Sequence, residues 1–326
     1  MKEIILSGMR PTGKLHLGHL VGALDNWNKL QDEYTCFFMV ADLHALMSEY
    51  EHPHNLQENI IDNVVDWLAC GVSPEKSTIF IQSQIKEHLE LFYFFSLITP
   101  LGLLERCPTY KEQLREVTGR DLSTYGFLGY PVLQAADILL YKAQAVPVGE
   151  DQLPHIELTR QIARKFNNLY KTDLFPEPKA LLTQAKRLLG LDGRKMSKSY
   201  DNTIALSDSS ETVLKKVNGM FTDPLRIKIS DCGHPHQCSV FSYYVSFFPE
   251  VKEAVCVACE TAVVGCTQCK KTLAEKLIEL LKPIQKKRQE LLKDRSLIPQ
   301  ILEQGRIKAG TVAQKTILEV KHLLKV

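Results

Sequence analysis

Hydrophobic positions along the chain cluster first at strand length and then at helical spacing. Ile4-Ile5-Leu6 is a short apolar run that enters a glycine-containing turn, after which Leu17, Leu20, Val21 and Leu24 recur on one helix face. Thr35-Cys36-Phe37-Phe38-Met39-Val40-Ala41 is continuously apolar, as a parallel strand covered on both faces should be, and ends at Asp42-Leu43-His44. Leu56, Ile60, Ile61, Val64, Val65 and Leu68 form a helical stripe closed by Gly71, and Thr78-Ile79-Phe80-Ile81-Gln82 predicts the next strand. Such alternation predicts a doubly wound α/β fold with a parallel, Rossmann-like sheet, which binds ligands beyond the carboxyl ends of its strands.

From residue 87 the spacing turns irregular, which predicts a helical insertion over about 87–128. Tyr130-Pro131-Val132-Leu133-Gln134-Ala135-Ala136-Asp137-Ile138-Leu139-Leu140-Tyr141 then reads as a helix apolar on most sides with one acid inside it. A buried carboxylate is costly unless paired, so Asp137 serves either a ligand or an ion pair with a nearby Lys or Arg. Ala145-Val146-Pro147-Val148-Gly149 makes a short strand that runs into Glu150-Asp151-Gln152 and a helix over 153–166. Polar residues at that turn suit a ligand, although Asp151 is equally placed to cap the helix. A last short strand is expected near 180–183. Beyond Tyr200, helical spacing over 213–220, 274–281 and 308–324 predicts a second, all-helical unit, so the expected division is 1–203 and 204–326.

Composition changes this picture little: 326 residues, 44% hydrophobic and 24% charged, suit a globular protein of two domains. The start Met1-Lys2-Glu3 enters a strand directly and no apolar run approaches a membrane span, so a cytoplasmic protein is expected. A net charge of +2 is too small to imply nucleic-acid binding by the whole chain. Lys270, Lys271, Lys282, Lys286, Lys287, Arg288, Lys293 and Arg295 nevertheless gather near the end, either as a solvated helix face or as a surface for RNA phosphates. Six of nine cysteines fall between Cys232 and Cys269, with Cys256-x2-Cys259-x6-Cys266-x2-Cys269 at the centre. In a reducing compartment such paired C-x-x-C units point to metal, and alone they would suit structural zinc.

Two polar stretches carry candidate chemistry. Arg-Pro-Thr-Gly-Lys-Leu-His-Leu-Gly-His, residues 10–19, lies where the first strand hands over to a helix. A helix start exposes unpaired N–H groups and the positive end of a dipole, which suits phosphate. His16 and His19 share one face of the first turn, and Gly18 leaves room for a flat base. An isolated H-x-G-H is equally a turn with two surface histidines. The second stretch, Lys195-Met196-Ser197-Lys198-Ser199, puts two lysines in a polar loop able to fold over an anion, although such loops are ordinarily solvated surface.

Together the two stretches resemble the signature of the class I aminoacyl-tRNA synthetases. Their spacing and the runs quoted above resemble the bacterial tryptophanyl-tRNA synthetases over nearly the whole chain. That resemblance implies a homodimeric ligase that uses ATP with Mg2+ to form tryptophanyl-adenylate and pyrophosphate, then passes tryptophan to the terminal ribose of tRNA(Trp). His16, His19, Lys195 and Lys198 would be catalytic. ATP would be held by Arg10, Pro11, Thr12, Gly18 and His19, by Gly149, Glu150 and Asp151 at the ribose, and by Lys195, Met196, Ser197, Lys198 and Ser199. Leu6, Gly8, His44, Tyr130, Gln134, Asp137, Val146, Val148 and Gln152 would hold tryptophan. The helical unit 204–326 would read the anticodon, and the insertion would help form the dimer.

Tyr130, Gln134 and Asp137 also match a pattern of some tyrosyl-tRNA synthetases, but those place a tyrosine two positions before the glycine that here is Gly8, and this chain has Leu6. Tryptophan is therefore expected, with a tyrosyl enzyme and a small-molecule nucleotidyltransferase as the alternatives. Some tryptophanyl enzymes carry a [4Fe–4S] cluster on C-x22-C-x6-C-x2-C. Cys238, Cys259, Cys266 and Cys269 reproduce it with a first spacing of 20, which leaves Cys256 as a substitute ligand and zinc as the alternative metal.

Overall fold

The computed structural model describes residues 2–108, 110–111, 114, 121–182 and 188–326, the side chain of Ser199 excepted. Part of the predicted insertion and the end of the expected strand at 180–183 lie outside the described residues. The parallel sheet comprises β1 (Ile4–Met9), β2 (Thr35–Val40), β3 (Ser77–Ile81), β4 (Ala145–Val148) and β5 (Lys179–Leu182), in the order β3-β2-β1-β4-β5. The order reverses between β1 and β4, which opens a crevice at their carboxyl ends.

The apolar run of β2 explains why the sheet is buried on both faces. Cys36, Phe38 and Val40 enter one core, where Trp27 stacks on Phe38 at 4.3 Å and Trp67 meets Trp27 edge-on at 5.0 Å. Phe37 and Met39 enter the opposite core, where Tyr141 stacks on Phe37 at 4.8 Å. Period-two alternation thus serves two cores rather than a core and solvent.

The first helix starts as α1 (Leu17–His19), passes through a π-helical stretch (Leu20–Leu24) and continues as α2 (Asp25–Glu33). It is followed by α3 (Asp42–Glu49), α4 (Leu56–Ala69), α5 (Glu87–Ile98), α6 (Leu101–Glu105), α7 (Tyr125–Leu128), α8 (Tyr130–Leu140) and α9 (Leu153–Tyr170). Asp42-Leu43-His44, where the apolar run ends, forms the first turn of α3, and Asp42 Oδ1 accepts from Leu43 N and Ser83 N.

The later helices are α10 (Ser210–Asn218), α11 (Ser239–Phe247), α12 (Lys252–Glu260), α13 (Cys266–Lys293) and α14 (Leu297–Leu324). They share the cores of the sheet. Leu273, Leu277 and Leu281 of α13 join the core of Phe38, while Ala309, Ala313 and Ile317 of α14 join that of Phe37. α14 lies across the outer edge of β3, so close that a Cβ on Gly305 would sit 1.7 Å from the Ile79 carbonyl oxygen. Arg288 of α13 pairs with Asp62 and Asp66 of α4. Packing is therefore continuous across residue 203.

Candidate active site

A cavity of about 360 Å³ opens at the switch point between β1 and β4. Leu6, Gly8, Met39, Val146 and Val148 form its strand wall, Ala41, His44 and Met47 come from the β2–α3 corner, and Phe127, Tyr130, Gln134 and Asp137 come from α7 and α8. Arg10, Gly149, Gln152 and His155 stand at the rim, and Gly22, Ala23 and Asn26 of the first helix line the cavity too. All nine residues expected around tryptophan therefore line one space.

Asp137 is 1% exposed and has no Lys or Arg partner among the described residues; two histidines and a glutamine hold it instead. His44 Nε2 donates to Oδ2 at 2.8 Å, His88 Nδ1 to Oδ1 at 2.6 Å, and Gln82 Nε2 is shared between Oδ1 at 2.8 Å and Oδ2 at 3.0 Å. Burial alone would push this carboxyl up, but the hydrogen bonds from His44 and His88 outweigh it and hold the pKa below the ordinary value. Behind it, the Tyr141 hydroxyl lies 2.9 Å from His88 Nε2, and burial with the nearby Asp137 charge keeps the phenol protonated. His88, Gln82 and Tyr141 were not singled out from the sequence: their sole signal was polarity at core positions, which says nothing of which carboxylate they meet.

A second chain of hydrogen bonds runs along the rim. His155 Nδ1 donates to Gln152 Oε1 at 2.8 Å, which leaves Nε2 to accept from the Tyr130 hydroxyl, also at 2.8 Å. Burial lowers His155 to about 4, so the ring is neutral and Tyr130 keeps its lone pairs for a donor in the cavity. Asp151 does not cap α9, whose N-cap is Gln152; with Glu150 it stands exposed on the turn before the helix.

The signature loop beside the cavity is fixed by its own backbone. His16 caps α1: its Nδ1 accepts from Gly18 N at 3.1 Å, while His19 Nδ1 accepts from His16 N at 3.2 Å. Both Nδ1 atoms are thus acceptors, so each ring carries its proton on Nε2. Burial and the nearby Lys198 lower His16 to about 4, and burial, His16 and Lys198 hold His19 well below the usual imidazole range. A Cβ on Gly18 would lie 3.0 Å from the His16 ring, so any side chain there would press on the capping imidazole.

The lysine loop folds directly onto this turn. Lys198 Nζ donates to the Gly13 carbonyl at 2.9 Å, and the buried Met196 brings its sulfur 3.6 Å from where a Gly18 side chain would begin. Ser197 N donates to Asn202 Oδ1 at 2.8 Å, which pins the loop from behind. Burial and Arg10 lower Lys198 to about 8. Lys195 is exposed, Pro11 is buried and Thr12 is half-buried; none of these, nor either signature histidine, lines the cavity itself. The Ser199 side chain lies outside the described residues.

Four cysteines near the start of α13 influence one another, and a fifth, Cys256, does not share in this. Burial and the neighbouring Cys238, Cys259 and Cys266 thiols push Cys269 up to about 12, and burial with Cys238 and Cys266 also raises Cys259. Cys256 stands apart and donates to Glu260 Oε1 at 3.6 Å.

A doubly wound sheet that brings an H-x-G-H turn and a K-M-S-K-S loop together beside one cavity defines a class of nucleotide-using ligases. The chain belongs to the class I tRNA synthetases (W and Y), whose family pattern matches residues 2–282. The tryptophan–tRNA ligase of Thermotoga maritima is 51% identical over 323 residues, 98% of this chain and 98% of that protein. That of Aquifex aeolicus is 44% identical, over 98% of this chain and 99% of its own length. The crystal structure of tryptophanyl-tRNA synthetase from Campylobacter jejuni complexed with ADP and tryptophane covers 99% of this chain and 100% of its own, with a TM-score of 0.89 and 33% identity. Tyrosyl-tRNA synthetase from Archaeoglobus fulgidus shares the fold at a TM-score of 0.67 and 20% identity.

Proposed function

We infer that this enzyme carries out the tryptophan–tRNA ligase reaction: tryptophan and ATP form an adenylate and pyrophosphate, and the acyl group then passes to tRNA(Trp). The observation that carries the reading is an apolar cavity with an ionised acceptor, Asp137, held in its wall. Both oxygens already accept two bonds, and the weakest of the four is the 3.0 Å arm from Gln82 to Oδ2, so an indole N–H takes that place on Oδ2. Leu6 offers nothing to a phenol hydroxyl, which would lose a partner on burial, a penalty of about 1–3 kcal/mol. The Tyr130 hydroxyl, oriented by His155, accepts from the substrate ammonium, with Gln134 and Gln152 beside it.

In the activation step His16 and His19 donate from Nε2 to the phosphate as negative charge builds, and being neutral they do so without competing for the lysines' role. Lys195 and Lys198 hold the departing pyrophosphate, Mg2+ arrives with ATP, and Arg10, Pro11, Thr12 and Gly18 follow the nucleotide. Gly149, Glu150 and Asp151 take the ribose, while Met196, Ser197 and Ser199 shape the loop that closes over it. Pyrophosphate exchange measured against all twenty amino acids tests this directly. Exchange with tryptophan alone is expected; tyrosine-dependent exchange would overturn the pocket assignment, and no exchange would overturn the enzyme assignment.

Residues 204–326 serve as the tRNA anticodon unit. In support, Lys271, Lys282, Lys286, Lys287, Lys293 and Arg295 are exposed along α13 and just after it. Two members of the basic run are engaged elsewhere, Lys270 with the Asn218 carbonyl and Arg288 with α4. A homodimer formed through the insertion is supported by Leu89, Tyr93 and Leu97, which stand exposed along one face of α5. Among the described residues no helix is long and apolar enough to cross a membrane, in keeping with a cytoplasmic enzyme.

Cys238, Cys259 and Cys266 lie near enough to Cys269 to raise its thiol, which supports a [4Fe–4S] cluster on these four, with zinc as the alternative occupant. When bound, the cluster supplies thiolate cross-links between the segment before α11, α12 and the start of α13. Cys256, facing Glu260, is not needed to complete the set.

A further inference from the structure

α12 places Cys256 and Glu260 one turn apart on a single face, and the thiol donates to the carboxylate at 3.6 Å. Opposite them stands His236, on the short turn Pro235–Gln237 that leads into Cys238. Its ring lies edge-on against the buried Phe241, with centroids 5.6 Å apart at 89°, and Pro235 is buried in the same turn. One ligand atom from each of His236, Cys256 and Glu260 falls within 4.8 Å of the other two. Zinc bonds of about 2.0–2.3 Å in a tetrahedron separate neighbouring ligand atoms by roughly 3–4 Å, so small rotations of two exposed side chains close this group around an ion. A thiolate, an imidazole and a carboxylate form a mixed donor set that suits zinc rather than magnesium or calcium, which prefer oxygen alone.

We propose that His236, Cys256 and Glu260 bind a zinc ion separate from the four-cysteine centre, with water in the fourth position. Binding replaces the thiol proton, which leaves to solvent, by the metal. The ion ties the turn that carries Cys238 to the helix that carries Cys259, the two segments that supply the first two thiols of the neighbouring centre. It also gives Cys256 a role other than that of a substitute ligand in the four-cysteine centre.

The test uses the full chain, purified anaerobically, equilibrated with Zn2+ and freed of excess metal, with zinc and iron counted per chain. Wild-type protein is expected to hold one zinc more than either Cys256→Ala or His236→Ala, while the metal content of the four-cysteine centre, iron or zinc, is the same in all three. Glu260→Gln, an isosteric change at an exposed position, should weaken retention of that same zinc against a chelator by at least about tenfold. Replacing this zinc by Co2+ should give a thiolate-to-cobalt absorption band that Cys256→Ala abolishes. Equal zinc in wild type and both alanine variants would overturn the proposal. So would loss of iron in Cys256→Ala, since Cys256 would then be a ligand of the cluster itself.

Discussion

At His16 and His19 the backbone decides where the protons sit. Each Nδ1 accepts a main-chain N–H, so Nε2 is the donor in both rings, and burial keeps them uncharged. Removing one such donor from a developing oxyanion typically costs about 100- to 1,000-fold in rate. His16→Ala should therefore slow pyrophosphate exchange by about that factor while leaving the tryptophan dissociation constant, measured by fluorescence quenching, nearly unchanged. Lys198 gives the nucleotide-free enzyme its pH response. With its pKa lowered to about 8 by burial and Arg10, it is charged below that pH and loses its charge above it. KM for ATP should rise as pH goes from 7 to 9, and Lys198→Arg should flatten that rise because arginine stays protonated. An unchanged profile in Lys198→Arg would place the titrating group elsewhere.

Among elements, α14 is the one whose role is least evident from its own residues. Gly305, Ala309 and Ala313 form a stripe of small residues, and the structure shows that the stripe lets a helix settle on the outer edge of β3. Lys142–Glu319 and Lys321–Glu90, the latter at 2.6 Å, bind its far half to the neighbouring chain segments. Covering the edge strand removes a site for aberrant pairing. Gly305→Ala puts a methyl group into the Ile79 carbonyl, and overpacking of this kind costs about 1–3 kcal/mol or more. Thermal unfolding of Gly305→Ala should begin several degrees lower, whereas Gly310→Ala, with open space around its Cβ position, should not be destabilised.

For the molecule as a whole, Arg288 connects the two halves. It is 12% exposed, as a side chain, and pairs with Asp62 and with Asp66, which is 1% exposed. Asp66 is pushed up to about 6 by burial, against the pull of Arg288, so the pair rests on the guanidinium staying in place. Breaking a buried pair from one side typically costs about 3–5 kcal/mol. Arg288→Ala should shift urea unfolding by an amount in that range, with Arg288→Met losing less because its packing survives. Lys286→Ala and Lys287→Ala should behave in the opposite way: stability and tryptophan-dependent pyrophosphate exchange stay unchanged, while tRNA affinity falls and its salt dependence becomes shallower by about one unit of slope per lost phosphate contact. If Arg288→Ala alone weakened tRNA binding without destabilising the fold, its assignment as a bridge would be wrong.

The strand and helix runs and the two signature stretches were legible in the sequence because each rests on local pattern, whereas the strand order was not, and the cavity wall was named only through the family resemblance. Apolar runs of strand length, helical stripes, and polar residues at strand ends announce themselves within a window of about ten to fifteen residues. Spacing also marked the cysteine-rich stretch, although alone it grouped Cys256 with Cys259, Cys266 and Cys269, and Cys238 entered only through the family resemblance. What lies outside such windows needed the tertiary structure: His88 and Gln82 reach Asp137 across about fifty positions of chain, Arg288 reaches α4 across more than two hundred, and His236 nears Cys256 across the whole of α11. Chemical type determined which residues could act, since only certain side chains donate, accept or ligate. The fold decided which of them meet, because burial and hydrogen-bond geometry are properties of neighbours in space, and a sequence orders its residues only along the chain.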